Sequence, residues 1–382
     1  MKKRLLTAAW LCICLVLTAC TAKDPDNLFE VTTTAPASTV VATNGGVETT
    51  EPSEQSSIEP IDYEALEPVY QYGNMQKGGG FMRLGKDVLF TFLRDDIGNR
   101  LYTYDLNTGV IRLNCDDATC SHSNCRAGGI SWGLEVYEGK VYVVSRYMQG
   151  TMNHLLTEIS DTEKVPVTKG EVYCAFHYDG DLYFKADSSL AVQEEDSDEI
   201  RVLIDEYVGA DAVIFDDYLY TRLVDGNFVR IDVTAAEPQQ EVLLTNVWAI
   251  TDGQHIYYVD MTTNLFCRCA MDGTGAEQLL DKPVLPASIN FDEEYVYFRL
   301  NTGERYNKGE DCFDLYRFPK NDPTKAEMIA TLPEPIFEVY TVPGAGKLFV
   351  SVYVQQSYGD SYDVYVMGTD GSNPTKLEIP EY

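Results

Sequence analysis

The sequence is poor in positive charge and in histidine: 29 Lys and Arg stand against 60 Asp and Glu, and four histidines occur in 382 residues. That imbalance excludes nucleic acid as a partner, because nothing would replace the condensed cations around the phosphates. Also missing is an apolar run of the ~20 residues that a hydrocarbon core requires. The longest, Leu5 to Leu17, is too short to span it. There is no G-x-S-x-G elbow and no H-E-x-x-H pair, the local signatures of serine hydrolases and zinc proteases. No long stretch repeats its apolar residues with a helical period, so helical solenoids are excluded as well.

What is present begins with a basic segment, Lys2, Lys3 and Arg4, followed by the short apolar run and by Leu17-Thr18-Ala19-Cys20. Small residues directly before a cysteine, closing a short apolar run, resemble the lipobox of bacterial lipoprotein signals. The resemblance implies cleavage after residue 19, acylation of the Cys20 thiol and attachment to the lipid bilayer on the extracytoplasmic face. Residues 20–60 are rich in Thr, Ser, Pro, Ala and Glu, as in "VTTTAPASTVVATNGGVETTEPSEQSSIEP". Such a segment has too little apolar surface to offset its ordering entropy and is expected to be a disordered tether. The acidity of the chain is most simply read as solubility beside a negatively charged envelope.

The remainder, 61–382, repeats. A short apolar-aromatic strand after a polar or Gly turn recurs as "GKDVLFTF", "EGKVYVVS", "DGDLYFKA", "DDYLYTRL", "DGQHIYYVD", "EEYVYFRL" and "GKLFVSV". Their central residues are Leu89, Tyr142, Tyr183, Tyr220, Tyr257, Tyr297 and Phe349. Each copy has an apolar segment before it and two further strands after it, such as "NFVRIDVT" and "EVLLTN". Four strands at a period of roughly forty residues point to an all-β fold, a β-propeller of seven four-stranded blades, since one small sheet cannot bury both faces alone but a ring can. The units "IYYVDMTTNLFCRCAMDGTGAEQLL" and "YVMGTDGSNPTKL" resemble the TolB-like and YWTD-like repeats of bacterial surface lipoproteins, the DUF5050-like set. The resemblance implies the ring and the envelope location, and implies no chemistry.

In such a ring the connections from second to third strand, and from fourth strand to the next blade, open on one face. Loops on a rigid scaffold are where binding groups sit. Four long insertions are expected there: "RYMQGTMNH", "ADSSLAVQEEDSDE", "NTGERYNKGEDC" and "VQQSYGDSYD". Their aromatic residues Tyr147, Tyr306, Tyr358 and Tyr362, with Trp132 at the start of the next inner strand, are the expected ligand-binding rim. Flat aromatics bury a large apolar area while keeping a polar edge.

The densest chemistry is Cys115-x4-Cys120-x-His122-x2-Cys125. Three thiols and an imidazole are the complement of a closed tetrahedral zinc site, although the spacing departs from that of a zinc knuckle. The competing reading is a disulfide, which an extracytoplasmic location permits. Either way the role is structural, stapling a long loop with little core of its own. The similar lipoproteins imply that a Cys-rich loop with an embedded histidine is a feature of this ring. Among the other cysteines, Cys267 and Cys269 share one strand face and are poorly placed to bond one another, while Cys174 and Cys269 are expected to be buried.

Two function classes follow. The first is a tethered binding or scaffold module that recognises an extracellular ligand or an envelope protein. The second is a hydrolase or lyase acting on a glycan or peptide at the channel mouth, where His122, His154, His177 and His255 are the available imidazoles. The first is preferred because a four-ligand cluster leaves no open coordination position for catalysis.

Overall fold

The computed structural model describes residues 71–380, apart from positions 86, 95–98, 118, 123–124, 150, 161–162, 169, 187, 196, 198, 206–211, 302–309 and 357–358. The signal segment 1–19, the tether 20–60 with Cys20, and also Tyr306 and Tyr358 lie outside the described residues.

Seven antiparallel sheets, each of four strands consecutive in sequence, span 81–113, 130–166, 175–204, 213–244, 247–278, 290–331 and 336–376. They form the seven-bladed propeller expected. The repeat centres Leu89, Tyr142, Tyr183, Tyr220, Tyr257, Tyr297 and Phe349 are all buried, packed between neighbouring blades. The fourth strands are the outer edges, and in the sixth blade, Glu327–Thr331, that edge is largely exposed. Charge keeps those edges from pairing with other chains: Arg230 faces Glu241 at 2.7 Å and Arg317 faces Glu327 at 2.9 Å, with Arg268 and Glu277 paired in the same way.

Among the described residues no strand is exchanged between the first and last blades, which meet through side chains. Phe81 of the first blade lies 4.9 Å from Tyr340 and 4.8 Å from Phe349 of the last, ring centre to ring centre, and Tyr104 meets Phe349 edge-on at 5.1 Å.

The central channel is filled. Residues 71–80, "QYGNMQKGGG", contain a single helical turn, Tyr72–Met75, and bond to the inner strands around them. Asn74 donates to the carbonyls of Phe81 and Thr341 at 2.8 and 2.7 Å, and its own carbonyl accepts from Asn290 at 2.9 Å. Gln76 bonds both backbone groups of Thr251, accepting from its N–H at 2.8 Å and donating to its carbonyl at 2.6 Å. Lys77 donates to the carbonyls of Ala287 and Val339 at 2.8 and 3.0 Å. The inner strands of the fifth, sixth and seventh blades are thereby tied to the segment that leads into the first. Thr251 and Thr341 sit at the ends of their strands next to the first turn of each blade, so the plug closes the channel mouth opposite the rim.

One expected insertion is corrected. In the third blade, Ser189–Gln193 is the third strand itself, with Leu190, Ala191 and Val192 buried. The polar residues after it, Glu194, Glu195, Ser197 and Glu199, lie between third and fourth strand and therefore on the face opposite the rim. The amide of Glu195 donates to Asp181 at 3.0 Å beside the first turn of the same blade.

Candidate functional site

Between the first blade's last strand, Ile111–Leu113, and the second blade's first, Ile130–Tyr137, the chain makes the cysteine loop. It opens on the rim, as expected. The loop is pinned to both neighbouring blades: Leu101 of the first donates to the carbonyl of Ala127 at 2.7 Å and Lys164 of the second to that of Gly128 at 2.5 Å, while Arg126 joins the two ends of the loop through the carbonyl of Asn114 at 2.9 Å. Cys115 and Cys125 also rest on the apolar cluster between the first and last blades.

Within the loop, Asp117 accepts from the amide and hydroxyl of Thr119 at 2.8 and 2.7 Å, which sets the turn toward Cys120. His122 then takes a left-handed backbone, φ 53°, and is buried. The result brings one donor atom from each of Cys115, Cys120, His122 and Cys125 within 4.8 Å of one another. The Cys125 sulfur is 3.7 Å from Nδ1 of His122. In a tetrahedron with zinc–sulfur and zinc–nitrogen bonds of ordinary length that edge is about 3.6 Å. Backbone amides point at two of the sulfurs, His122 N–H to Cys120 at 3.3 Å and Ala127 N–H to Cys125 at 3.4 Å, an arrangement that stabilises thiolate charge. Burial and the neighbouring thiols push Cys115 up to about 11, so a cation is what would draw its proton off. Cys115, Cys120 and Cys125 stand as thiols. The cluster can hold a metal ion.

The rim around this loop has two raised edges. In the second blade the hairpin Lys140–Gln149 with Thr151–Ile159, and in the seventh the hairpin Lys347–Gln356 with Gly359–Gly368, are about twice the length of the strands in the fourth to sixth blades. The first blade, with its cysteine loop, stands between them. Of the expected rim aromatics, Trp132 lies on Ile130–Tyr137 and Tyr147 pairs across the second-blade hairpin with Asn153; their side chains are outside the description. Tyr362 is 47% exposed. It faces Tyr353 across the seventh-blade hairpin, and with Phe337 the three rings form a triangle with centres 4.7 to 5.1 Å apart. Phe337 and Tyr353 were not anticipated, though Tyr353 is the residue that mirrors Tyr362 about the turn.

The four histidines separate. His122 belongs to the Cys3His cluster, and His154 lies edge-on to Tyr173 with Glu171 at 3.5 Å. His255 lies 6.1 Å from the ring of Tyr257. His177 meets a buried carboxylate, Glu135, whose Oε2 is 2.8 Å from Nδ1. Burial raises the Glu135 carboxyl above its ordinary value, with His177 acting against the shift. The recurrent Asp-Gly turns use their carboxylates internally: Asp272 accepts from both the amide and the hydroxyl of Thr274.

No protein-family model matches this chain, and no curated protein does. Among solved structures it is similar to a candidate 6-phosphogluconolactonase of Bacteroides uniformis, at 13% identity over 76% of this chain and 95% of that one, with a TM-score of 0.47. A second such candidate, from Bacteroides fragilis, matches at 10% identity over 77% and 94%, with a TM-score of 0.45. A TolB candidate from Agrobacterium tumefaciens matches at 13% identity over 52% and 76%, with a TM-score of 0.36. At these identities the likeness is one of fold and carries no activity across.

Proposed function

We propose that this chain is a lipid-anchored extracytoplasmic binding module. Cys20 holds it to the bilayer, residues 20–60 lift the ring from the surface, and the rim recognises an extracellular ligand or a neighbouring envelope protein. One zinc ion in the Cys115, Cys120, His122, Cys125 cluster staples the loop at the centre of that surface. The lipobox and the TolB-like and YWTD-like repeats support the anchor. The observation that carries the binding reading is the placement of the cysteine loop between two raised hairpins, one of them bearing the exposed Tyr362 over Phe337 and Tyr353.

The test uses the full chain on cells of its own source, with a photoreactive phenylalanine at Tyr362 or, on the opposite face, at Asp179. A discrete adduct formed from position 362 and absent from position 179 is the expected result. Equal labelling from both faces would remove the rim from consideration. Cys20→Ser is expected to release the protein into the medium and to abolish palmitate incorporation; retention of both would end the lipoprotein reading.

A further inference from the structure

On the face opposite the rim, the second and third blades meet at a constellation that the rim reading leaves unused. Glu135, on the inner strand Ile130–Tyr137, reaches to His177 on the inner strand Ala175–Tyr178. Its carboxylate accepts the main-chain N–H of His177 as well as bonding Nδ1. The two side chains are 5% and 10% exposed. The imidazole is clamped between Tyr137, stacked at 4.8 Å and 14°, and Tyr142 at 4.6 Å. Tyr137 in turn accepts the N–H of Gly180 at 2.9 Å, which fixes the turn beside the histidine.

With Nδ1 and the main-chain N–H both bonded to Glu135, Nε2 is the ring nitrogen left to meet a ligand. Among the described residues Nε2 has no partner. The ring borders an open depression of about 350 Å³, lined also by Leu182, Gln193, Glu194, Glu195 and Ser197. Glu194 and Glu195 are exposed there, and Gln193 uses its amide N–H on the carbonyl of Ser197 at 2.7 Å. The formal charges that face the depression are the two carboxylates, beside His177 Nε2 and the Ser197 hydroxyl. They call for a hydrogen-bond donor with positive charge. The volume is far larger than a bare ion needs, and Leu182 supplies an apolar wall.

We infer that this depression binds a small organic cation carrying a primary ammonium group. His177 Nε2 accepts one ammonium proton, the carboxylates of Glu194 and Glu195 supply the charge, and Glu135 is a positioning residue that fixes the imidazole tautomer. The ammonium is common to short diamines and amino sugars, so both are tested.

The experiment is calorimetric titration of the full chain with putrescine and with glucosamine at about 0.15 M salt, where diffuse attraction to an acidic protein is screened. Ring signals of the histidines are followed by NMR alongside; four in the chain make them assignable. The expected result is saturable binding of one of the two amines with a shift of the His177 signals alone. Affinity should fall about tenfold in E195Q, an exposed site whose change leaves the fold intact, and further in H177Q. N-acetylglucosamine, which lacks the ammonium, should not bind. No binding of either amine, equal affinity in E195Q, or equal binding of the acetylated sugar would each overturn the inference and reduce the Glu135–His177 pair to a latch between blades. Should H177Q fail to fold, E194Q and E195Q decide the matter.

Discussion

The side chain of Asn74 donates to the backbone carbonyl of Thr341 at 2.7 Å across 267 positions of sequence. Its carbonyl oxygen accepts in return from the Thr341 N–H at 3.2 Å and from Asn290 at 2.9 Å. Where the described strands of the first and last blades do not pair, one buried amide thus holds the entry segment to the sixth and seventh blades. Asn74→Ala leaves several buried backbone and side-chain groups unpaired, at about 1–3 kcal/mol for each that finds no water. The expected loss is about 2–4 kcal/mol, read from urea midpoints, against less than about 0.5 kcal/mol for Asn107→Ala on an exposed turn. Equal midpoints for the two variants would show that the plug is not part of the folding unit.

The plug also makes stability depend on pH in an unusual direction. Enclosure of the Lys77 amine pulls it down to about 7, against the attraction of Glu338. Between about pH 7 and the ordinary lysine value the unfolded chain holds a proton that the folded chain does not, so stability rises with pH through that window. The groups around the amine do not mask this. Burial raises the Glu338 carboxyl, which acts on the acid side, and it raises the Tyr340 phenol well above its usual value, which matters only where an unfolded tyrosine ionises. From pH 7 to pH 9 the wild type is expected to gain about 2 kcal/mol relative to Lys77→Met in urea titrations. A constant difference between the two proteins across that range would mean that the amine is hydrated and titrates normally.

The blades were legible because their signal repeats: an aromatic or Leu at the centre of each second strand follows a polar turn, and all seven centres are buried. The plug was not legible. "QYGNMQKGGG" has no apolar period, and its one signal is the glycine run, which allows close approach: a Cβ on Gly79, at φ +66°, would stand 2.0 Å from the carbonyl of Leu134. In the third blade, polar neighbours concealed the strand around Leu190, Ala191 and Val192. At the candidate site the cysteine cluster could be read because its four donors lie within eleven residues of sequence. Glu135 and His177 could not, since they are 42 positions apart and each sits among strand residues that give no sign of a partner.

Arg317 separates surface charge from packing between blades. Its pairing with Glu327 is at the surface, the glutamate side chain being 55% exposed. The guanidinium also covers the ring of Tyr295 at 4.1 Å and donates to the carbonyl of Thr369 in the seventh blade at 2.7 Å. Exposed ion pairs contribute about 0–1 kcal/mol, whereas stacking and a hydrogen bond across the blade interface add to what is lost with the arginine. Arg317→Ala is therefore expected to cost about 2 kcal/mol and Glu327→Ala under about 0.5 kcal/mol in the same denaturation assay. Arg317→Lys is expected to recover only part, because an ammonium cannot lie flat on Tyr295 while reaching Thr369. Equal losses for the arginine and glutamate variants would assign the stabilisation to the ion pair.

The zinc proposed for the cysteine loop has a direct readout in mass and in stability. Four donors already within 4.8 Å, with amide N–H groups aimed at two sulfurs, give a site that metal would tighten rather than build. Because metal binds the folded loop and only weakly the unfolded chain, saturating zinc is expected to raise the melting temperature, with a contribution that grows as the logarithm of free zinc over its dissociation constant. Native mass spectrometry of the full chain should show one zinc, lost on denaturation, and the denatured mass should be that of the reduced thiols. Cys125→Ser should lose the metal and the thermal shift together. His122→Ala should weaken binding while leaving the three thiols, and a strong chelator should reproduce the melting temperature of Cys125→Ser in the wild type. A denatured mass two protons short, with no zinc in the native spectrum, would instead place a disulfide among Cys115, Cys120 and Cys125, and the loop would then be stapled by oxidation.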